Sequence, residues 1–425
     1  MGTALSSGGG NRAGGPGAPG PQGPPRALPP QPPYHGNPVL YRQMHINATY
    51  GTHVEQYYAQ LAAMYEQGYR MLMFVTYPAA KQSEALKFQG IFRRAFPAEE
   101  GRQWQLRVEK SSFISKQFQS YGSYGCTSDS IHIVQALKRI TDTGGRLVSM
   151  ALAGSISTQL SWQRFLMVGE MEEECEYPYW SDSVNKTSAN QVGVNLFYEM
   201  PPSGGGGGPY IYQVVPCPIS SQLNLGIPRH NWVSTIPWET VISQYLGSGW
   251  KLVEIFEDHA ASKNTNVQKM FSFNIRLQNN LLWIFEKPAS RRDDPTPLYE
   301  CTMVETWKVN AVDYDGVFTN VGVSTNLSTN WDPLLDHYGR SGWQVVRIID
   351  TPDAQRQGLV GSAIHQRQLV FFQRLREGFV EDGFGNPSYL RPDAPPAYDE
   401  VHAAPSRPPI APSAPGIHDL KSDKH

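Results

Sequence analysis

The chain has 425 residues, 34 prolines, 39 glycines and a formal net charge of −2. That balance supplies no global basic field, so no nucleic-acid partner is expected. Four cysteines, Cys126, Cys175, Cys217 and Cys301, lie far apart without metal-ligand spacing, which argues against a disulfide framework and for a reducing compartment.

Residues 1–38 form a Gly/Pro-rich N-tail, expected to be disordered. Met1-Gly2-Thr3-Ala4-Leu5-Ser6 fits the myristoylation pattern, with Gly2 as the lipid acceptor. One acyl chain gives only marginal, reversible attachment to an inner leaflet. No cysteine lies in the first hundred residues to add a second anchor. No segment approaches the roughly 18 apolar residues that a membrane-spanning helix requires. The expected location is therefore the cytosol or the cytoplasmic side of a membrane. Arg26, Leu28, Pro29, Pro30 and Pro32 fit R-x-L-P-P-x-P, a type of SH3-domain ligand. Proline pre-forms the polyproline II helix, and the arginine sets orientation against an acidic pocket.

A helix ending in glycine, then an aromatic or small residue, then an apolar strand, is predicted four times. The clearest pair is Val241–Val253 through Gly249-Trp250, and Leu334–Val346 through Gly342-Trp343. An earlier copy is Tyr58–Leu72 around Gly68, and the most diverged is Ile131–Val148 around Gly144. Apolar residues recur at helical spacing, and glycine supplies the left-handed cap. Trp250 and Trp343 read as rings plugging a helix–sheet junction rather than as ligand-stacking platforms. Strand-like runs precede each helix at Val39–Ile46, Trp104–Val108, Tyr210–Val215 and Cys301–Val309. Amphipathic strands are expected to follow at Gly90–Phe96, Arg164–Val168, Leu281–Glu286 and Gln368–Gln373. The Gly-rich linker at 201–209 divides the copies into a lobe at 39–200 (repeats 1 and 2) and a lobe at 210–376 (repeats 3 and 4). The expected class is α+β: four strand–helix–strand–strand repeats in two pseudo-symmetric lobes, with mainly antiparallel sheets and helices on one face.

The C-tail, 377–425, is proline-rich and carries two ligand motifs. Pro395, Pro396 and Tyr398 form a PPxY motif, read by WW domains such as those of HECT ubiquitin ligases. The prolines lie in an aromatic groove and the tyrosine enters a second pocket. Pro412, Ser413, Ala414 and Pro415 form the P-[ST]-A-P peptide bound by the ubiquitin-E2-variant domain of ESCRT-I. Tyr398-Asp399-Glu400-Val401 also resembles an SH2 ligand once Tyr398 is phosphorylated.

No constellation points to catalysis. Eleven histidines are scattered without an H-x-x-x-H pair. Gly204–Gly208 lacks the Lys-Ser/Thr of a phosphate loop, and Cys126 has no evident partner base. Glu172-Glu173-Glu174 reads as a solvated edge. No catalytic residue, metal site or cofactor is expected.

Glu305-Thr306-Trp307-Lys308-Val309, Trp331-Asp332-Pro333-Leu334-Leu335, Gly342-Trp343, Asp350-Thr351-Pro352 and Gln368–Arg374 resemble, in order, the last repeat of the raftlin family. Met64–Tyr69 and Ile91–Ala95 are similar to its first repeat. The resemblance implies an acylated, non-enzymatic protein of the inner plasma-membrane leaflet and endosomes, associated with ordered lipid domains, receptor signalling and uptake. Family members carry a palmitoylated cysteine after Gly2, where this chain has Thr3. The expected function is thus a peripheral membrane adaptor that recruits WW-domain ligases, ESCRT-I and SH3 proteins to membrane cargo. The alternatives are a lipid- or apolar-ligand-binding module whose tails only regulate location, or a signalling protein whose PPxY serves nuclear WW partners.

Overall fold

A computed structural model of the chain describes residues 28–31, 33–48, 54–77, 86–120, 123–153, 186–201, 208–225, 230–266, 274–311, 331–357, 363–382 and 384–389. Among them the structure is mostly antiparallel sheet with four α-helices. The first group is β1 (Tyr41–Ala48), α1 (Glu55–Glu66), β2 (Tyr69–Tyr77) and β3 (Leu86–Arg94), in sheet order β1-β3-β2. The second is β4 (Gln105–Ser120), β5 (Ser123–Asp129), α2 (Ile131–Asp142), β6 (Arg146–Ala153) and β7 (Lys186–Met200), with β7 between β4 and β6. The third is β8 (Tyr210–Pro216), β9 (Ile219–Leu225), β10 (His230–Thr235), α3 (Trp238–Leu246), β11 (Lys251–Asn266) and β12 (Asn274–Pro288). Here β12 lies between β8 and β11. The last is β13 (Tyr299–Ala311), α4 (Asp332–Gly339), β14 (Gln344–Gln357) and β15 (Ala363–Leu375), in order β13-β15-β14. A hairpin of β16 (Phe379–Glu381) and β17 (Pro387–Tyr389) follows.

Each helix is set by an apolar stripe and a glycine stop. In α1, Tyr57, Leu61 and Met64 are buried, and in α2, Ile133, Ala136, Leu137 and Ile140. Gly68, Gly144, Gly249 and Gly342 all adopt positive φ, between 74° and 79°. After three of these helices the chain closes with a bond from five residues on: Gly145 N–H to Ile140, Trp250 to Tyr245 and Trp343 to Tyr338. This is the Schellman stop, which turns the chain straight into the next strand.

Four apolar clusters lie between neighbouring groups. One joins α1 and β3 to β6 and β7 through Leu61, Phe92, Ala151 and Phe197. A second joins α2 and β7 to β11 and β12 through Leu137, Leu196, Phe256 and Ile284. A third joins α3 and β12 to β14 and β15 through Leu246, Trp283, Ile349 and Phe371. The fourth joins α4 and β15 back to β2 and β3 through Leu335, Phe372, Met73 and Ile91. The inner strands meet in the same cycle: β2 on β6, β6 on β11, β11 on β14 and β14 on β2.

This packing departs from the sequence expectation in two respects. The buried residues of one cluster all lie before 200 and those of another all lie after 210, but the other two clusters cross between the halves, so the halves share part of their cores. The central strands are also covered on both faces and are not amphipathic: Leu281, Trp283 and Phe285 enter one cluster, and Leu282 and Ile284 another. A strand buried on both sides reads as an unbroken apolar run, which is what Leu281–Phe285 is. The strand expected at Arg164–Val168 lies outside the described residues; the strand paired with β6 is β7, Lys186–Met200. Most of the 201–209 linker and all of Glu172–Glu174 also lie outside them.

Candidate functional site

Where the inner strands begin, each group places a cross-strand pair at the same register. The pairs are Arg70 with Arg93, Arg146 with Glu199, Lys251 with Glu286, and Gln344 with Gln373. Immediately afterwards every inner strand shifts register by one residue, at Met71/Met73, Leu147/Ser149, Leu252/Glu254 and Val345/Arg347. A bulge adds twist and re-aims the strand end, and the added residues Leu72, Val148, Val253 and Val346 line the same cavity as the pairs. This cavity, of about 70 Å³, marks the pole where the four strand starts converge.

The charges at the pole are partnered. Arg70 Nε donates to Glu199 Oε1 at 3.1 Å, and its other nitrogens reach Glu99 and Glu199. Arg93 binds Glu99 at 2.6 and 2.9 Å. Arg146 Nε donates to Glu286 Oε1 at 2.7 Å. Tyr65 donates to Glu199 at 2.8 Å. Burial would raise the Glu199 carboxyl, but Arg70 outweighs it and holds it below the ordinary carboxylate range. Glu99 is held low in the same way by Arg70 and Arg93. Lys251 has the weakest pairing, 3.5 Å from Glu381, and burial lowers its pKa.

One residue deeper in each strand lies Met73, Ser149, Glu254 or Arg347. Ser149 Oγ donates to Glu254 at 2.8 Å and accepts from the Phe74 N–H at 3.1 Å. Arg347 Nη1 reaches Glu254 at 3.2 Å. Ser149 is 0 % exposed, so its hydroxyl ties strands together and offers no surface nucleophile. Cys217 and Cys301 are likewise poor nucleophiles, because burial pushes their thiols up to about 11 and about 12.

The β16–β17 hairpin sits against this pole. Glu381 lines the cavity, the Gly385 carbonyl accepts from Arg146 Nη1 at 3.3 Å, and Asn386 Oδ1 accepts from the Tyr210 hydroxyl at 3.0 Å. The polar pairs at the pole went unread in the sequence. A signal exists: each follows its helix-capping glycine by two residues, at Arg70, Arg146, Lys251 and Gln344.

Of the motif residues, Gly2, Arg26, Pro32, Pro395, Pro396, Tyr398, Pro412, Ser413, Ala414 and Pro415 lie outside the described residues. Leu28, Pro29 and Pro30 are described, with Leu28 half-buried and the two prolines exposed. Trp343 is buried in an apolar cluster, whereas Trp250 is only half-buried, its ring edge-on to Tyr245 at 6.4 Å. No described helix is long and apolar enough to cross a membrane. Among the described residues no group of His, Cys, Asp and Glu could hold a metal.

Comparison with protein-family models, with curated proteins and with solved structures finds no match to this chain.

Proposed function

We propose that the chain is a non-enzymatic peripheral membrane adaptor of raftlin-like type, with a body of four strand–helix–strand–strand repeats closed into a ring. Gly2 carries a myristoyl group that holds it to the cytoplasmic face of the plasma membrane and endosomes. The C-tail recruits a WW-domain HECT ubiquitin ligase through Pro395, Pro396 and Tyr398, and ESCRT-I through Pro412–Pro415. The N-tail recruits an SH3 protein.

The observation that supports this reading is how close in the chain the motif follows the β16–β17 hairpin. The hairpin pinned to the pole ends at Tyr389, and the PPxY motif starts six residues later at Pro395. The pole chemistry favours the same reading, since Arg70, Arg93, Arg146 and the facing glutamates satisfy one another. The rival reading, a lipid-binding module, finds little room there: about 70 Å³, lined by both charged and apolar side chains, is far below the roughly 300–1,000 Å³ of small-molecule pockets.

A pull-down from cell extract with the intact chain, Tyr398→Ala and Pro412→Ala tests it. The expected result is loss of the WW ligase with Tyr398→Ala and loss of ESCRT-I with Pro412→Ala. Capture of both by both variants would remove the adaptor reading.

A further inference from the structure

Part of the SH3-ligand motif is already engaged by the chain's own body. Leu28 packs against the cluster that contains Leu334, Tyr338 and Trp343. His337 Nε2 donates to the Pro29 carbonyl at 2.8 Å. Gln31 accepts from the Trp343 indole N–H at 3.2 Å. Just past the motif, the Tyr34 ring lies on Gly342, where an added Cβ would fall 2.1 Å from it. The Arg374 guanidinium is 4.7 Å from the Tyr34 ring and 4.4 Å from the Trp343 ring.

We infer that Leu28–Gln31, with Tyr34, form a latch, bound in cis by α4 and the start of β14, which an SH3 domain must displace before it can read the motif. This rests on the SH3-ligand reading of Arg26–Pro32. An SH3 groove packs on the leucine and proline side chains of such a segment, and Leu28 cannot face that groove while it packs on the body's own apolar cluster. The latch needs few contacts because prolines at 29, 30, 32 and 33 leave little chain entropy to lose on docking. Tyr34 acts as its clasp. Only glycine at position 342 lets an aromatic ring approach the turn so closely.

The test uses an SH3 domain selected for binding a synthetic peptide of residues 24–38, titrated against the peptide, the intact chain, and intact chains carrying Tyr34→Ala or His337→Ala. A segment docked nine-tenths of the time weakens SH3 binding to the intact chain by about tenfold relative to the peptide. Both variants should recover the peptide's affinity, and a Tyr34→Ala peptide controls for any direct contact. Equal affinity of intact chain and free peptide would overturn the latch. If no SH3 domain binds the peptide, the ligand reading fails by itself. The latch is then read by chymotryptic cleavage after Tyr34. Cleavage several-fold faster in His337→Ala than in the native chain supports it, and equal rates overturn it.

Discussion

Arg146 and Glu286, 140 residues apart in sequence, meet at 2.7 Å and tie β6 to β12 at the pole. The side chains are 9 % and 1 % exposed, so neither charge can turn to water if its partner is lost. Glu286→Ala is therefore expected to cost about 3–5 kcal/mol, chiefly by stranding the arginine. Replacing both partners, Arg146→Met with Glu286→Leu, should cost much less. Urea unfolding of the two variants and the parent checks this, and equal losses would show that the ion pair is not the unit that matters.

Glu99 makes stability depend on pH. Burial would raise its carboxyl, but Arg70 and Arg93 outweigh it and hold it well below the ordinary range. The folded value lies below the unfolded one, so its contribution is complete above about pH 4.3, the unfolded glutamate value. It is lost as pH falls through the folded value. Glu99→Gln should lower the thermal midpoint at pH 7, and the gap to the parent should close as pH falls below about 4. A gap that stays constant down to pH 2 would mean that Glu99 acts by packing instead.

Gly144 and Gly249 have φ of 77° and 79°, yet differ in what surrounds them. Nothing lies within 4 Å of a Cβ at Gly144, so Gly144→Ala should cost only the left-handed strain, about 1–2 kcal/mol. At Gly249 a Cβ would lie 2.7 Å from the Thr296 carbonyl oxygen, which is backbone and cannot swing aside. Gly249→Ala should therefore be clearly the more damaging in denaturant melts. A ranking in the other order would contradict the packing described around β11.

Phosphorylation of Tyr398 is expected to exchange partners at the PPxY motif. The phosphate adds about two negative charges and does not fit a WW pocket built for a neutral ring. A phosphorylated peptide of residues 391–403 should lose WW binding and gain SH2 binding relative to the plain peptide. Unchanged WW affinity would end the switch idea.

The parts of the fold legible in the sequence were those set locally. Gly68, Gly144, Gly249 and Gly342 each stop a helix and open a strand, and both events depend on a few adjacent residues. Long-range pairing left weaker marks. β4 continues through Glu109-Lys110-Ser111-Ser112, a polar stretch with no strand propensity of its own, because β7 pairs with it from Gln105 to Gln119. The pole was illegible for the same reason. Arg70 and Glu199 look like ordinary charged residues until register and the closing of the inner strands bring them together.

The latch segment and the pole hairpin also bear on where the two tails begin. The Arg374 guanidinium near the end of β15 lies 4.7 Å from the Tyr34 ring, so the segment at Tyr34 is held beside the strand that leads into the β16–β17 hairpin. Ligands tethered at a common root are not independent. Once a multidomain partner holds one, it meets the other at an effective concentration set by the length of the intervening chain, whatever its bulk concentration.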